Sequence, residues 1–380
     1  MKRVLFFLES LSGGGAEKVL SDIVGNLNPE EYQVTVCTVT DGDIYQEKVS
    51  CSCTYKSFLE IKNYNEGGLK KVIFWLKIKM IYNFPARWIY KWFIREKYDI
   101  EIAFIEGYAT KLIAASSNSK SRKVAWVHTD LLRNAYADKC YLNHKQHCMT
   151  YKKYDKILCV SNSVMQVFKK KFFSSPQLAV QYNPVDEKEI LEESLSAPDF
   201  LPYSSDGIIL GTIGRLEQPK GYYRLVKCAK DLFDKGYKFT IWIIGQGSEK
   251  EKIEQYIKEN DLDNIVILLG FKKNPYQYMR YCDAFVCSSY SEGFSTAATE
   301  SLIMGKPIFT VDCSGMRELI SDSGCGVIVP NNDDALLELL ENLVSGIIPL
   351  EKYIKAAQRR GKDFSLKSRI LEIEQLFSEL

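Results

Sequence analysis

Short apolar runs alternate with stretches of helical period along this chain, and several runs end alike. Val4–Leu8 leads into Gly13-Gly14-Gly15, Ile208–Ile213 into Gly214-Arg215, Phe239–Ile244 into Gly245-Gln246-Gly247, and Ile265–Leu269 into Gly270-Phe271. Runs this short and this continuously apolar predict strands buried on both faces. A strand that ends in glycine and feeds a helix is the sign of a doubly wound α/β sheet, whose ligands bind beyond the carboxyl ends of the strands. The last segment carries Leu366, Ile370, Ile373, Phe377 and Leu380 on one face at helical spacing.

The pattern occurs in both halves of a 380-residue chain, longer than one hydrophobic core usually supports, so two Rossmann-like domains are expected. The boundary falls near Tyr182-Asn183-Pro184-Val185-Asp186, where the Asn-Pro step breaks regular structure and an acidic, irregular region follows. Domains over 1–184 and 185–362 result, with a terminal helix over 363–380. Charge changes sign at this boundary. Residues 1–185 hold 27 Lys/Arg against 17 Asp/Glu and residues 186–380 hold 23 against 31, so a net charge of +2 hides a basic first half. Val4–Leu8 is too short for a signal peptide and is followed by Glu9, and the 11 cysteines include no C-x-x-C pair. Both observations point to a cytoplasmic protein with reduced thiols.

One window departs from this plan. Residues 69–98 hold eight Lys/Arg with Glu96 the lone acid, and three of the chain's five tryptophans. Lysines interrupt it too often for a transmembrane helix, and Asn83-Phe84-Pro85 splits it. Two basic, aromatic helices fit an anionic membrane surface; core-packed helices with solvated basic faces are the other reading. Nucleic acid is not expected, because no recognised binding motif accompanies the basic stretch.

The chemistry concentrates in Glu292-Gly-Phe-Ser-Thr-Ala-Ala-Thr-Glu300. Ser295 and Thr296 are natural N-cap residues, and Gly305 and Pro307 stop the helix they would start. A helix N-terminus with free amides and positive dipole is a seat for phosphate. Glu292 falls in the loop beside that seat, and Glu300 about two turns into the helix, roughly 12 Å further at the α-helical rise. Two carboxylates so placed suit hydroxyls on either side of a diphosphate. Arg215 and Lys220, in the loop after Ile208–Ile213, supply cations for the diphosphate, Arg as a fork and Lys as a point charge.

In the first half, Gly13-Gly14-Gly15 after the first strand permits close approach of a phosphate or sugar, or is simply a βα turn. His128 stands at the tip of the strand Ala125-Trp126-Val127. Glu106, at another strand end, either lines the acceptor side with Gly13 or serves as a capping or salt-bridging glutamate. Cys140, His144, His147 and Cys148 share one short helical stretch on which they cannot all converge, and structural zinc sites usually add a distant second pair, so no metal is expected.

In this order, Arg215 and Lys220, Gly245-x-Gly247, Gly270-Phe271, Glu292-Gly-Phe and Glu300 resemble the retaining glycosyltransferases of family 4, over essentially the whole chain. The resemblance implies a GT-B fold, α/β with two Rossmann-like doubly wound domains facing across a cleft, and a terminal helix that crosses back onto the N-terminal domain. It implies transfer of a hexose or N-acetylhexosamine from a nucleoside-diphosphate sugar, UDP-linked in the first instance, to a saccharide or lipid-linked saccharide in surface polysaccharide assembly. Configuration would be retained without a metal or other cofactor. Lys220, Arg215 and the Phe294-Ser295-Thr296 turn would meet the diphosphate, with Gly14 near it. Glu292 would hold the sugar hydroxyls and Glu300 the ribose. Phe271 and Lys272 would lie near the base beside Gly245, and His128 would organise the donor sugar. The protein would sit in the cytoplasm or peripherally on the cytoplasmic membrane face. A nucleotide-sugar epimerase or a non-catalytic nucleotide-sugar binding protein are the alternatives; a phosphorylase would need a pyridoxal lysine and a longer chain.

Overall fold

The computed structural model describes residues 1–12, 14–65, 68–202 and 207–380. The chain divides into two compact units, one of Met1–Pro184 with Lys367–Leu380, the other of Val185–Leu366. Each is built on one parallel sheet.

The first unit holds seven strands: β1 (Lys2–Phe7), β2 (Tyr32–Thr40), β3 (Thr54–Leu59), β4 (Ile100–Ala103), β5 (Arg122–Val127), β6 (Lys156–Cys159) and β7 (Leu178–Val180). Their order is β3-β2-β1-β4-β5-β6-β7. Val4, Leu5, Phe6 and Phe7 are all fully buried, because helices cover both faces of the central strand. The strand order reverses between β1 and β4, so the loops after these two strands diverge and leave a crevice at the carboxyl edge. Gly14 and Glu106 belong to those loops, and His128 follows β5 next door. The helix Leu366–Glu379 belongs to this unit from Lys367 onwards. Its Ile370, Ile373 and Phe377 are buried, with the Phe377 ring 5.8 Å from Tyr32 and 6.3 Å from Phe6.

The second unit holds six strands: β8 (Ile208–Ile213), β9 (Phe239–Ile244), β10 (Val266–Gly270), β11 (Ala284–Cys287), β12 (Ile308–Val311) and β13 (Gly326–Val329), in the order β10-β9-β8-β11-β12-β13. Alternate residues feed two cores. Phe239, Ile241 and Ile243 point to one, with Leu225 and Leu339; Trp242 and Ile244 point to the other, with Leu302 and Met316. Here the order reverses between β8 and β11. The loops that follow these strands carry Arg215 and Lys220 on one side and Glu292 on the other.

The basic window forms two helices, Gly68–Asn83 and Ala86–Phe93, broken at the predicted Phe84-Pro85 step. Among the described residues, no helix is long and apolar enough to cross a membrane.

Candidate active site

The site-bearing loops of the second unit are laced together by backbone. After β8 the chain makes a single 3-10 turn, Gln218–Lys220, and Gly221 turns it into the helix Tyr222–Asp234 with φ +66°. A Cβ at Gly221 would overlap the Ser288 carbonyl oxygen, so only glycine allows this approach to the end of β11. The Tyr290 amide donates to the Pro219 carbonyl (2.8 Å) and Ser288 Oγ to the Lys220 carbonyl (3.1 Å). Beneath them lies Arg224, 2% exposed. Its Nε donates to the Ser288 carbonyl (2.7 Å), its Nη2 to Asn331 Oδ1 (2.9 Å), and its guanidinium stacks 3.9 Å from the Tyr290 ring. Asn331 Nδ2 in turn donates to the Ser289 carbonyl (3.2 Å). Nothing in the sequence separates Arg224 from the other cations of its helix; only its burial does.

On this frame Lys220 Nζ donates to both oxygens of Glu292, at 2.7 and 2.9 Å, and Ser289 Oγ donates to Glu292 Oε1 at 2.6 Å. The Lys220 side chain is 27% exposed and that of Glu292 10%. Burial opposes the charge of Lys220, but the facing carboxylate, helped by Tyr222, outweighs it and carries the lysine pKa above its ordinary range. Both groups line a small pocket with Thr212, Tyr222, Cys287 and Ser295. The helix Thr296–Ile303 starts there, and Ser295 caps it by accepting from the Ala298 amide (3.3 Å).

The structure adjusts two expectations. Glu300 opens the second turn of that helix rather than closing it, because Thr296 is the first helical residue, and its side chain is buried. Lys220, assigned to a diphosphate, is held by Glu292, which was assigned to the sugar. The cation and the carboxylate answer each other before any ligand is considered.

The remaining residues expected on the donor side are spread along the same edge. Arg215 is exposed, and Phe294 and Thr296 are partly exposed at the start of the helix. Gly245 (φ +149°) backs onto the Gly214 carbonyl so closely that a Cβ would overlap it, a packing reason for this glycine. Phe271 is 42% exposed past β10. Lys272 lies over the Phe200 and Tyr278 rings at 4.9 Å each, and 3.7 Å from Asp199.

In the first unit, Gly14 is the N-cap position of the helix Gly15–Asn26, and Gly13 lies outside the described residues. Glu106 is fully buried. Oε1 accepts the amides of His128 (2.5 Å) and Thr129 (2.7 Å) and the Thr129 hydroxyl (3.1 Å), and Oε2 accepts the Tyr136 hydroxyl (2.8 Å). Its carboxylate is spent on the protein's own donors and presents nothing to an acceptor; burial pushes its pKa up against those hydrogen bonds. This is the capping role left open by the sequence. The turn it pins carries His128, whose ring packs 4.9 Å from Phe104 and whose Nε2 is enclosed without a hydrogen-bond partner. Burial drives the His128 pKa down to about 3, so the imidazole is neutral at physiological pH and unsuited to a proton shuttle.

His147 stacks on Tyr141 (3.9 Å) and bonds Asp138 through Nδ1 (3.0 Å), while His144 Nε2 lies 3.3 Å from Cys148 Sγ. Among the described residues, no group of three or more His, Cys, Asp or Glu that could hold a metal forms.

Two doubly wound parallel sheets, each with its polar loops at the strand-order reversal, are the architecture of a GT-B protein. The model described as Glycosyltransferase Family 4 matches residues 13–189, and the one described as Glycosyl transferases group 1 matches residues 198–360. The chain belongs to the family 4-like glycosyltransferases of the GT-B fold. It is 27% identical to the N-acetylgalactosamine-N,N'-diacetylbacillosaminyl-diphospho-undecaprenol 4-alpha-N-acetylgalactosaminyltransferase of Campylobacter jejuni, over 96% of each chain. It is 25% identical to the lipopolysaccharide 1,6-galactosyltransferase of Salmonella typhimurium, over 90% of each. In fold it is similar to Anabaena HepE solved in complex with UDP-glucose, with a TM-score of 0.74, 18% identity and all of both chains covered.

Proposed function

We propose that this glycosyltransferase moves a hexose or N-acetylhexosamine from a UDP-linked donor to a hydroxyl of a lipid-linked saccharide, with retention and without a metal, in surface polysaccharide assembly. The observation that carries the reading is the Lys220–Glu292 pair, seated beside a helix N-terminus at the strand-order reversal of the second sheet. A departing nucleoside diphosphate gathers negative charge. Lys220, Arg215 and the first amides of the helix Thr296–Ile303 answer it with preorganised positive charge, which does the work a divalent ion would otherwise do. Glu292 then serves the donor sugar's hydroxyls, and Glu300 the ribose. Phe271 and Lys272 serve the base. Neutral His128 helps to organise the donor sugar rather than moving a proton.

UDP comes first among bases because HepE was solved in complex with UDP-glucose. A lipid-linked acceptor comes first because the Campylobacter relative's name specifies one.

The test is a thermal-shift panel of nucleoside diphosphates and their sugars with and without EDTA, followed by transfer assays. A nucleotide at a hundred times its Kd adds about 2.7 kcal/mol to stability. Stabilisation by UDP and a UDP-sugar, indifferent to EDTA, with transfer only when a saccharide acceptor is present, is the expected result. A changed or free sugar without acceptor would favour an epimerase, and stabilisation abolished by EDTA would overturn metal independence.

A further inference from the structure

The helices Gly68–Asn83 and Ala86–Phe93 leave an unusual surface on the first unit. Phe74 and Ile81, seven residues apart, are the side chains the first helix buries. Leu69, Val72, Ile73 and Leu76 recur at i, i+3, i+4 and i+7 on a different face, and all four are 43–75% exposed. On the second helix Ala86, Ile89 and Tyr90 turn inward, while Trp88 (50%) and Trp92 (42%) point out. Their rings lie 6.3 Å apart, Phe84 (46% exposed) adds a third ring 5.6 Å from Trp92, and Lys91 Nζ stands 5.9 Å from the Trp88 ring.

Exposed large apolar side chains are ordinary when scattered and meaningful when contiguous. Here they come with cations. Lys70, Lys71, Lys77 and Lys79 are exposed on the first helix and Arg87 and Lys91 on the second, with no acidic residue in either. Asp and Glu would be needed to match a basic partner and would be repelled by an acidic one. Tryptophan beside lysine and arginine, over an apolar ridge, is the composition that settles at the boundary between anionic head groups and acyl chains.

We propose that these two helices form an interfacial anchor that lays the first unit on an anionic bilayer, with the Leu69–Leu76 ridge and the Phe84-Trp88-Trp92 cluster entering the acyl boundary. The anchor is bolted to the sheet. Tyr82 donates to Glu9, just past β1, at 2.6 Å, and the Tyr108 hydroxyl donates to the Ile81 carbonyl at 2.7 Å. The membrane-facing helix is therefore fixed to the carboxyl edge where an acceptor would be met. This purpose, though not the binding itself, rests on the transferase reading with its lipid-linked acceptor.

The test is flotation of the full chain with phosphatidylglycerol-containing vesicles and with pure phosphatidylcholine vesicles, at low and high salt, without nucleotide. The expected result is binding to the anionic vesicles, weakened by salt. Trp88→Ala with Trp92→Ala should lower the bound fraction roughly tenfold or more, and Lys77→Glu with Lys79→Glu should remove the preference for anionic lipid. Unchanged circular dichroism and melting would show that the variants fold, since all four side chains are exposed. Absence of flotation with anionic vesicles at low salt would overturn the proposal, as would equal flotation of the tryptophan variant. So would a dimer of the wild type that sediments as a monomer in that variant, which would assign the surface to a second copy. A nucleotide that fails to stabilise the protein would count against the transferase reading and leave the flotation result standing.

Discussion

Glu106 and Glu292 occupy matching places in the two units. Each lies a few residues past the strand that neighbours the first strand of its sheet, β4 in one case and β11 in the other. Glu106 is sealed in and accepts four hydrogen bonds, two of them from the backbone of the turn that holds His128. Glu292 keeps some exposure and faces a lysine amine and a serine hydroxyl, both carried on side chains that can turn elsewhere. The same chemical group is a fixed bolt in one unit and an exchangeable contact in the other. What separates them is the donor: a backbone amide cannot leave without unmaking the turn, whereas an ammonium on a four-carbon stem can be shared with a phosphate.

The exchangeable contact is most exposed to change at Lys220. Lys220→Ala should lower turnover at least tenfold, the equivalent of about 1.4 kcal/mol, and should also lower the melting temperature, because the Glu292 carboxyl group loses its cation in a nearly enclosed place. Wild-type kcat in this variant would show that Lys220 does not serve the leaving group. Next comes Glu106→Ala, which orphans two backbone amides at about 1–3 kcal/mol each. Urea unfolding should show that loss while the stabilisation by UDP persists. If Glu106→Ala instead abolished UDP stabilisation and spared stability, the bolt reading would fail.

The most gradual effect is in pH, because it is spread over several pH units. His128 and His147 are pushed down to about 3 and about 4 by burial, from an unfolded value near 6.5. Below pH 6.5 the unfolded chain takes up protons that the folded imidazoles refuse. Stability should therefore fall as acid is added, by up to about 1.4 kcal/mol per pH unit for each histidine. The loss ends once pH drops below the folded values. Equilibrium unfolding of His128→Gln across this range should show a shallower slope; an unchanged slope would mean that His128 is protonated in the folded protein.

Features set within a few residues of chain were legible in the sequence. The apolar run Ile208–Ile213 became β8 and Phe239–Ile244 became β9 with the predicted bounds, because a strand covered on both faces favours a predominantly apolar sequence. Ser295 became the cap of its helix, because a hydroxyl there satisfies an amide that has no other partner. The break at Phe84-Pro85 was equally local, since proline cannot continue a helix. Tertiary structure alone decided which side chains meet. Lys220 and Glu292 are 72 positions apart, and their pairing depends on β8 and β11 becoming neighbours in the sheet. The burial of Arg224, the use of Glu106 as a bolt and the neutrality of His128 follow from the same cause. Propensity and period act over one or two turns of chain, whereas charge state, burial and hydrogen-bond satisfaction are properties of the packed neighbourhood that the fold assembles from distant segments.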